Sequence, residues 1–408
     1  MNTMENGWVC SSLETLTSLI KDGSHGTHKD VTDGVPFLSA KDVRDGALEI
    51  PNDCRRISEA DYASIHKSYE IAPNDILLTV VGTIGRCYLM TGQEPRFSIQ
   101  RSVAVIRPYG VQPEYLYHFF RSLAFQTNLK DFTNASAQGG VYLGSLAKCS
   151  VTFPTSNDEQ SQIATILSTI DEAIEQTEEI IAKKQRIKTG LMQDLLTRGI
   201  DEHGNIRSEQ THQFKDSLFG RIPAKWEEKE IGKVAALQRG YDITENQLIP
   251  GPYPVISSSG IVGYHNVCTS VGPNVLVGRK GSIGNVHYVE GNFWAHDTSL
   301  FVTDFFGNCE KYVYYLFTYL DLARLGTKSG SPSLNRNDIH PVVVGVPGRE
   351  EQREITRMLA FCDESLLVLN NELKKAKRLK TGLMQDLLTG KVRVTELPRQ
   401  QSIHPNAR

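Results

Sequence analysis

The side chains best placed for chemistry are hydrogen-bonding groups on glycine-bearing loops, not paired acids, nucleophiles or metal ligands. In the first half they lie in Ser24-His25-Gly26-Thr27-His28-Lys29, in Gln100-Arg101 beside a strand, and in the polar stretch holding Asn134, Ser136 and Gln138. In the second half they are Ser257-Ser258-Ser259, Arg279-Lys280, His296-Asp297, and Lys328-Ser329-Gly330-Ser331. The glycines allow close backbone approach, and the side chains offer donors and acceptors on exposed loops. That is the chemistry of recognition, although each run also fits a solvated turn. The motifs of catalysis are missing: there is no NPPY-like or DPPY-like tetrapeptide, no GxxxxGK[ST] phosphate loop and no HExxH. GTIG (82–85) and GSIG (281–284) are too short for a dinucleotide fingerprint and read as hairpin turns. Seven cysteines, an odd number without a CxxC pair, imply reduced and mostly buried thiols rather than a disulfide framework or zinc site.

What positions these loops is a repeat. KTGLMQDLLT runs from Lys188 to Thr197 and again, unchanged, from Lys380 to Thr389. Upstream the match continues without a gap: Glu159-Gln160 with Glu351-Gln352, Ile163 with Ile355, Leu167 with Leu359, and Asp171-Glu172 with Asp363-Glu364. A duplicated segment of about 40 residues is the first thing such a chain reveals. Each copy follows a proline, Pro154 or Pro347, and ends near a glycine, Gly199 or Gly390, which bounds a helix at both ends. Ser156 and Glu159 have the spacing of a capping box. Ile355, Leu359, Cys362, Leu366, Leu369, Leu373 and Ala376 form a heptad seam. The first copy gives Ile163, Leu167, Ile170, Ile174, Thr177 and Ile181, then drifts towards Ile187 and Leu191. A helix of this length is about 60 Å long and cannot bury a seam alone. The copies are therefore expected to pack on each other, antiparallel. Gly190 and Gly382 predict a kink or a close helix–helix contact.

The remaining segments read as two mixed, strand-rich domains. Strand-like runs at 75–81 and 102–106 have counterparts at 274–278 and 298–302. Helix-like aromatic stretches follow at 113–128 and 310–325, and Trp8/Leu13 at one domain start matches Trp226/Ile231 at the other. The resulting organisation is a domain at 1–154, a long helix at 155–198, a polar linker at 199–220, a second domain at 221–347, a long helix at 348–391 and a tail at 392–408, disordered from Pro398. A net charge of −3 excludes a bulk basic nucleic-acid clamp, and the first 154 residues carry 14 Lys+Arg against 16 Asp+Glu. No apolar run approaches the roughly 20 residues that span a bilayer, and the N-terminus lacks signal-peptide character.

Taken together, the duplicated E-Q-x-x-I helix starts, the LMQDLLT helix ends, the G-[ST]-I-G turns and the paired GW/KW domain starts resemble the specificity subunits of type I restriction–modification systems. The resemblance runs from Trp8 to about Val394. It implies an α+β fold: two pseudo-equivalent mixed α/β target-recognition domains separated by two long helices packed as an antiparallel coiled coil. It implies a non-catalytic chain that reads the two halves of a bipartite, asymmetric site in double-stranded DNA. It further implies two methyltransferase subunits that use S-adenosylmethionine on adenine N6, and two restriction subunits driven by ATP and Mg. This chain would bind no cofactor or metal, contact no membrane and work in bacterial or archaeal cytoplasm. On this reading, Ser24, His25, Thr27, His28, Lys29, Gln100, Arg101, Asn134, Ser136, Gln138, Ser257, Ser258, Ser259, Arg279, Lys280, His296, Lys328, Ser329 and Ser331 are the DNA-contact candidates. Gln193, Asp194, Gln385 and Asp386 match between the copies at positions taken as exposed, which makes them subunit-docking candidates. The late basic runs at 183–188 and 374–380 fit a solvated face that complements the helix dipole, or contact with phosphates or an acidic partner. A coiled-coil adaptor that binds protein, and a methyltransferase–specificity fusion, are the alternatives. The missing catalytic tetrapeptide counts against the second.

Overall fold

In the computed structural model, residues 2–3, 7–134, 139–326 and 332–394 are described. The chain divides into two compact units, Met1–Thr177 with Glu372–Arg408, and Glu178–Asn371. The first unit is assembled from two separate stretches of sequence, and the second is the continuous stretch between them. Each takes one globular domain, the start of the helix that follows it, and the end of the other long helix.

Both domains are built on one β framework. In the first, Thr17–Asp22, Val103–Pro108, Ile76–Thr79 and Cys87–Leu89 form a four-stranded antiparallel sheet. In the second, Ala236–Arg239, Ser299–Asp304, Asn274–Gly278 and Val286–Val289 repeat it in the same order. A smaller sheet lies alongside each. Val35–Leu38 pairs parallel with Ser98–Ile99 and antiparallel with Arg56–Ile57. Tyr253–Ser257 pairs parallel with Trp294–Ala295 and antiparallel with Gly260–His265. The registers agree: Phe37 faces Ser98 as Val255 faces Trp294. GTIG and GSIG are hairpin turns closing the equivalent strand pairs, with all four glycines at positive φ.

The aromatic stretches are helices that close each core, interrupted rather than continuous. Pro113–Phe120 is followed by a separate helix, Leu123–Asn134. Glu310–Leu320 stops at Asp321, whose φ of 46° is left-handed, before a short 3-10 turn. Trp8 and Trp226 are both buried in the cores that they open.

The long helices span Asn157–Thr197 and Arg349–Leu387. Gly199 and Gly390 sit just past their ends with φ of 61° and 72°, conformations that glycine adopts without strain. The seam of the first copy does not drift: Ile187 is exposed, and the protected positions continue through Lys184, Lys188 and Leu191 to buried Leu195. Lysine stems cover the seam while their ammonium groups reach its edge. In the first unit Lys380 meets Asp171 at 2.5 Å, and in the second Lys188 meets Asp363. In each unit the two helix segments run in opposite directions, since Glu159 pairs with Arg393 where Asp171 pairs with Lys380. Gly190 and Gly382 make no close helix–helix contact; a Cβ there would meet nothing within 4 Å, and the helices run through unbroken.

The capping box at Ser156 is only half formed. Ser156 accepts from the Glu159 amide, but the Glu159 carboxylate goes to Arg393 in a two-point pair, both contacts at 2.6 Å. Its counterpart Glu351 takes Arg207, Trp226 Nε1–H and the Ile200 amide. Carboxylates withdrawn from water, as Glu159 is fully and Glu351 in part, are better satisfied by arginine than by one backbone amide. The following glutamine is equally structural. Gln160 accepts from the Gln112 amide and donates to the Pro154 carbonyl; Gln352 accepts from the Cys309 amide and donates to the Pro347 carbonyl.

The segment expected as a polar linker is anchored. Arg207 ties it to Glu351, and Phe214–Ser217 pairs with Gly220–Pro223. The beginning of the tail is docked as well, with Val394 buried in the first core and Arg393 on Glu159. Residues 395–408 lie outside the described residues. All seven cysteines are free, with Cys87 and Cys149 buried and the other five half-buried, so full burial is the exception. Burial pushes the Cys149 thiol up to about 11.

Candidate nucleic-acid interface

The candidate loops lie where the two sheets of each domain meet. Gly23 and Gly240 occupy equivalent places, at the end of the first strand of the large sheet. A Cβ on Gly23 would come within 2.2 Å of the Ile99 carbonyl oxygen, and one on Gly240 within 2.2 Å of the His296 carbonyl oxygen. Only glycine permits the chain to pass so close. Each glycine delivers the next residue to an isolated parallel bridge: Ser24 with Gln100 in the first domain, Tyr241 with His296 in the second. Loops far apart in sequence are thereby joined, and Arg101 completes the first group by donating its amide to the Ser24 carbonyl.

Within the first group the side chains are unequally committed. His25, Thr27, Lys29 and Arg101 are exposed, with His25 Nε2 at 2.6 Å from Asp22. His28 is turned inward: its ring contacts Ser24 Oγ at 2.7 Å and Asp61 at 2.9 Å, and stands edge-on to Phe37. Gln100 is half-buried, with Nε2 directed at the Phe37 carbonyl at 3.4 Å. Ser136 and Gln138 lie outside the described residues, as does the side chain of Asn134.

The second group divides into two concavities. One, of about 460 Å³, brings together Ser257, Ser258, Ser259, Lys280 and His296. The other, of about 690 Å³, is lined by Arg239, Tyr241, Arg279 and Arg336. Ser257 and Ser258 are buried, whereas Ser259 and Lys280 are exposed. Arg279 donates to the Asp297 carbonyl oxygen. Lys328, Ser329 and Ser331 lie outside the described residues. Arg239, Tyr241, Trp294 and Arg336 were not singled out from sequence. The signal for Tyr241 was its position after Gly240, matching Ser24 after Gly23. Asp242, His296 and Asp297 could converge on a cation, but the Arg239 guanidinium already holds Asp297 at 2.7 Å and Thr298 occupies His296 Nδ1.

The four docking candidates are also only partly free. Gln193 and Gln385 are exposed. Asp194 pairs with Arg198 at 3.5 Å and Asp386 with Lys391 at 3.3 Å. Most of the identical string is explained by internal packing, since Leu195 and Leu196 are buried in the second core and Leu387 and Leu388 in the first. Thr189, Gly190 and Gln193, with Thr381, Gly382 and Gln385, are the exposed residues that internal packing leaves unexplained.

Residues 9–184 and 223–378 match the type I restriction modification DNA specificity domain, once for each half. The chain belongs to the type I restriction–modification specificity-subunit family. It is 23% identical to a putative type I restriction enzyme MjaX specificity subunit of Methanocaldococcus jannaschii, over 95% of this chain and 94% of that protein. It is 22% identical to the type I restriction enzyme EcoprrI specificity subunit of Escherichia coli, over 85% and 84%. The crystal structure of the S subunit of a type I restriction–modification system from M. genitalium has the same fold, with a TM-score of 0.64 at 16% identity, covering 95% of this chain and 98% of that one. Its family membership makes this specificity subunit a DNA-recognition component of such a system.

Proposed function

We propose that the chain is the non-catalytic reader of a bipartite, asymmetric DNA site. The observation that carries this reading is the contrast inside one framework. The two domains agree in strand order, register, glycine placement and turn, yet at the bridged rim positions Ser24 is replaced by Tyr241, Gln100 by His296 and Arg101 by Asp297. Equal scaffolds with unequal hydrogen-bonding edges read unequal half-sites. The two long helices, packed as an antiparallel coiled coil, act as the ruler between them, so the spacer becomes a geometric quantity on the order of one DNA turn, ~34 Å.

Two methyltransferase subunits dock by the pseudo-two-fold symmetry of the repeated string, through Gln193, Asp194, Gln385 and Asp386 and the exposed threonines and glycines beside them. They supply S-adenosylmethionine chemistry at adenine N6. Two restriction subunits add ATP- and Mg-dependent cleavage, and the assembly works in the cytoplasm. Reversing charge at Asp194 and Asp386 together is expected to weaken co-purification with the methyltransferase; unchanged co-purification sinks this docking assignment. The reading as a whole is tested by an adenine-methylation map of host DNA with and without the gene. The expected result is an N6-methyladenine motif with two unequal halves and a fixed gap that disappears on deletion. A map that does not change in a host with an active methyltransferase partner would count against it.

A further inference from the structure

The small sheets of the two domains share strand order and register, and one face of them is treated in opposite ways. In the first domain that face is covered. The His28 ring stands edge-on to Phe37, 5.4 Å between centroids, and Tyr62 and Ile65 of the helix Glu59–Ile65 pack on Val35, Phe37 and Ile57. Ser24 and Asp61 hydrogen-bond the two nitrogens of His28. The space over Phe37 is thus filled by a planar heteroaromatic ring with a polar partner on each side.

In the second domain Val255 stands at the register position of Phe37, and over it is a cavity of about 460 Å³. Val255, Ile243, Leu248 and Val262 make its apolar lining, while Lys280 and His296 supply polar groups. Thr298 donates its backbone N–H to His296 Nδ1 at 3.2 Å, which places the proton of the neutral ring on Nε2. That Nε2–H has no hydrogen-bond partner among the described residues. The volume falls in the range of sites that take one small organic ligand.

We propose that this cavity receives a single nucleobase of the target DNA, swung out of the duplex, in the place that His28 fills in the first domain. The base lies over Val255, His296 donates to a ring nitrogen or carbonyl of the base, and Lys280 at the mouth meets the adjoining phosphate. Drawing one base out of the stack costs free energy that only a base fitting the cavity recovers, so the site discriminates. This inference rests on the DNA-reading function. It makes the two half-sites unequal in manner as well as in sequence: one is read on base edges alone, the other also by extraction.

The test uses the full chain assembled with its methyltransferase partners, on duplexes bearing 2-aminopurine singly at each position of the site. Unstacking brightens that base. The expected result is a several-fold brightening at one position of the half-site read by the second domain, distinct from the methylated adenine. Val255→Trp, which fills the cavity from its floor, is expected to abolish it. Lys280→Ala, at an exposed position that the fold does not need, is expected to reduce it. Brightening confined to the methylated adenine, or unaltered in both variants, overturns the proposal. Binding of free deoxynucleoside monophosphate at His296 with no brightening in any duplex would also overturn it, assigning the cavity to a soluble nucleotide. Failure of the wild-type assembly to bind duplex at all would instead remove the DNA-reading function itself.

Discussion

The helix ends of the two halves match almost residue for residue, while the rims of their small sheets match nowhere except in backbone. Glu159 with Arg393 and Glu351 with Arg207 do the same work, as do Asp171 with Lys380 and Asp363 with Lys188. At the rims, Ser24 faces Gln100 where Tyr241 faces His296. Identity in this protein marks what holds it together, and difference is concentrated at the rims proposed to read DNA.

Even the matched regions differ in ways that can be measured. Glu351 satisfies Arg207, Trp226 Nε1 and the Ile200 amide, whereas among the described residues the Glu159 carboxylate meets the side chain of Arg393 alone and Trp8 Nε1 has no partner. Removing one member of a fully buried ion pair costs about 3–5 kcal/mol, an upper bound for the half-buried Glu351–Arg207 pair. Glu351→Ala, which strands three donors, is expected to destabilise its unit by up to that amount, and Glu159→Ala by less. Thermal and denaturant unfolding of the two variants checks the order, and equal losses would break the comparison.

A second test uses acidity. His118 and Tyr315 occupy equivalent places beside Asp171 and Asp363. His118 is buried and bonded to Ser168 Oγ, while Tyr315 donates to Asp363 at 2.7 Å. Burial, reinforced by Arg121 and Lys380, pushes the His118 pKa down to about 3. The folded chain thus keeps this imidazole neutral while the unfolded chain protonates near 6.5, so stability present above that value is lost progressively as pH falls towards 3. At about 1.4 kcal/mol per unit the loss has an upper limit near 5 kcal/mol. Asp171 adds to it at the acid end. Burial alone would raise its pKa, but Arg121 and Lys380 hold it below the usual carboxylate value. The first unit is expected to unfold on acidification before the second, with His118→Tyr narrowing the gap; simultaneous loss, followed by hydrogen exchange in each unit, would refute this.

A smaller effect concerns the seam. Exchanging charges in Asp363→Lys with Lys188→Asp should largely restore what either single change removes, as a double-mutant cycle would show, because Tyr315, the other partner of Asp363, can accept as well as donate. The smallest is on the outer face. Gly190→Ala and Gly382→Ala replace exposed helical glycines and should each raise stability by about 1 kcal/mol. If that face seats a partner, the same changes reduce methyltransferase co-purification.

Much of this was legible in the sequence. The repeat and its heptads announced the long helices, and GTIG and GSIG announced the turns, because period and turn chemistry are local. The arginine clamps were not. Arg207 lies ten residues after Thr197 and Arg393 four after Thr389, so alignment by spacing cannot equate them. The seam lysines were hidden for another reason, since an apolar pattern does not reveal a lysine whose stem is buried and whose charge is paired. The candidate loops were found as donors and acceptors, but which of them face outward depends on tertiary contacts. His28 is committed to Asp61, 33 residues away, and no local rule would have said so.

The exchanged lysine–aspartate pairs carry a consequence for heredity. Both copies of the repeat hold the same lysine and the same aspartate, so either copy satisfies the other. A crossover between the gene segments encoding Lys188–Thr197 and Lys380–Thr389 would remove or duplicate one entire domain, yet every seam that results could still find its partner charge. The repeat gives a lineage a way to exchange one reading domain for another without redesigning the helices that carry it.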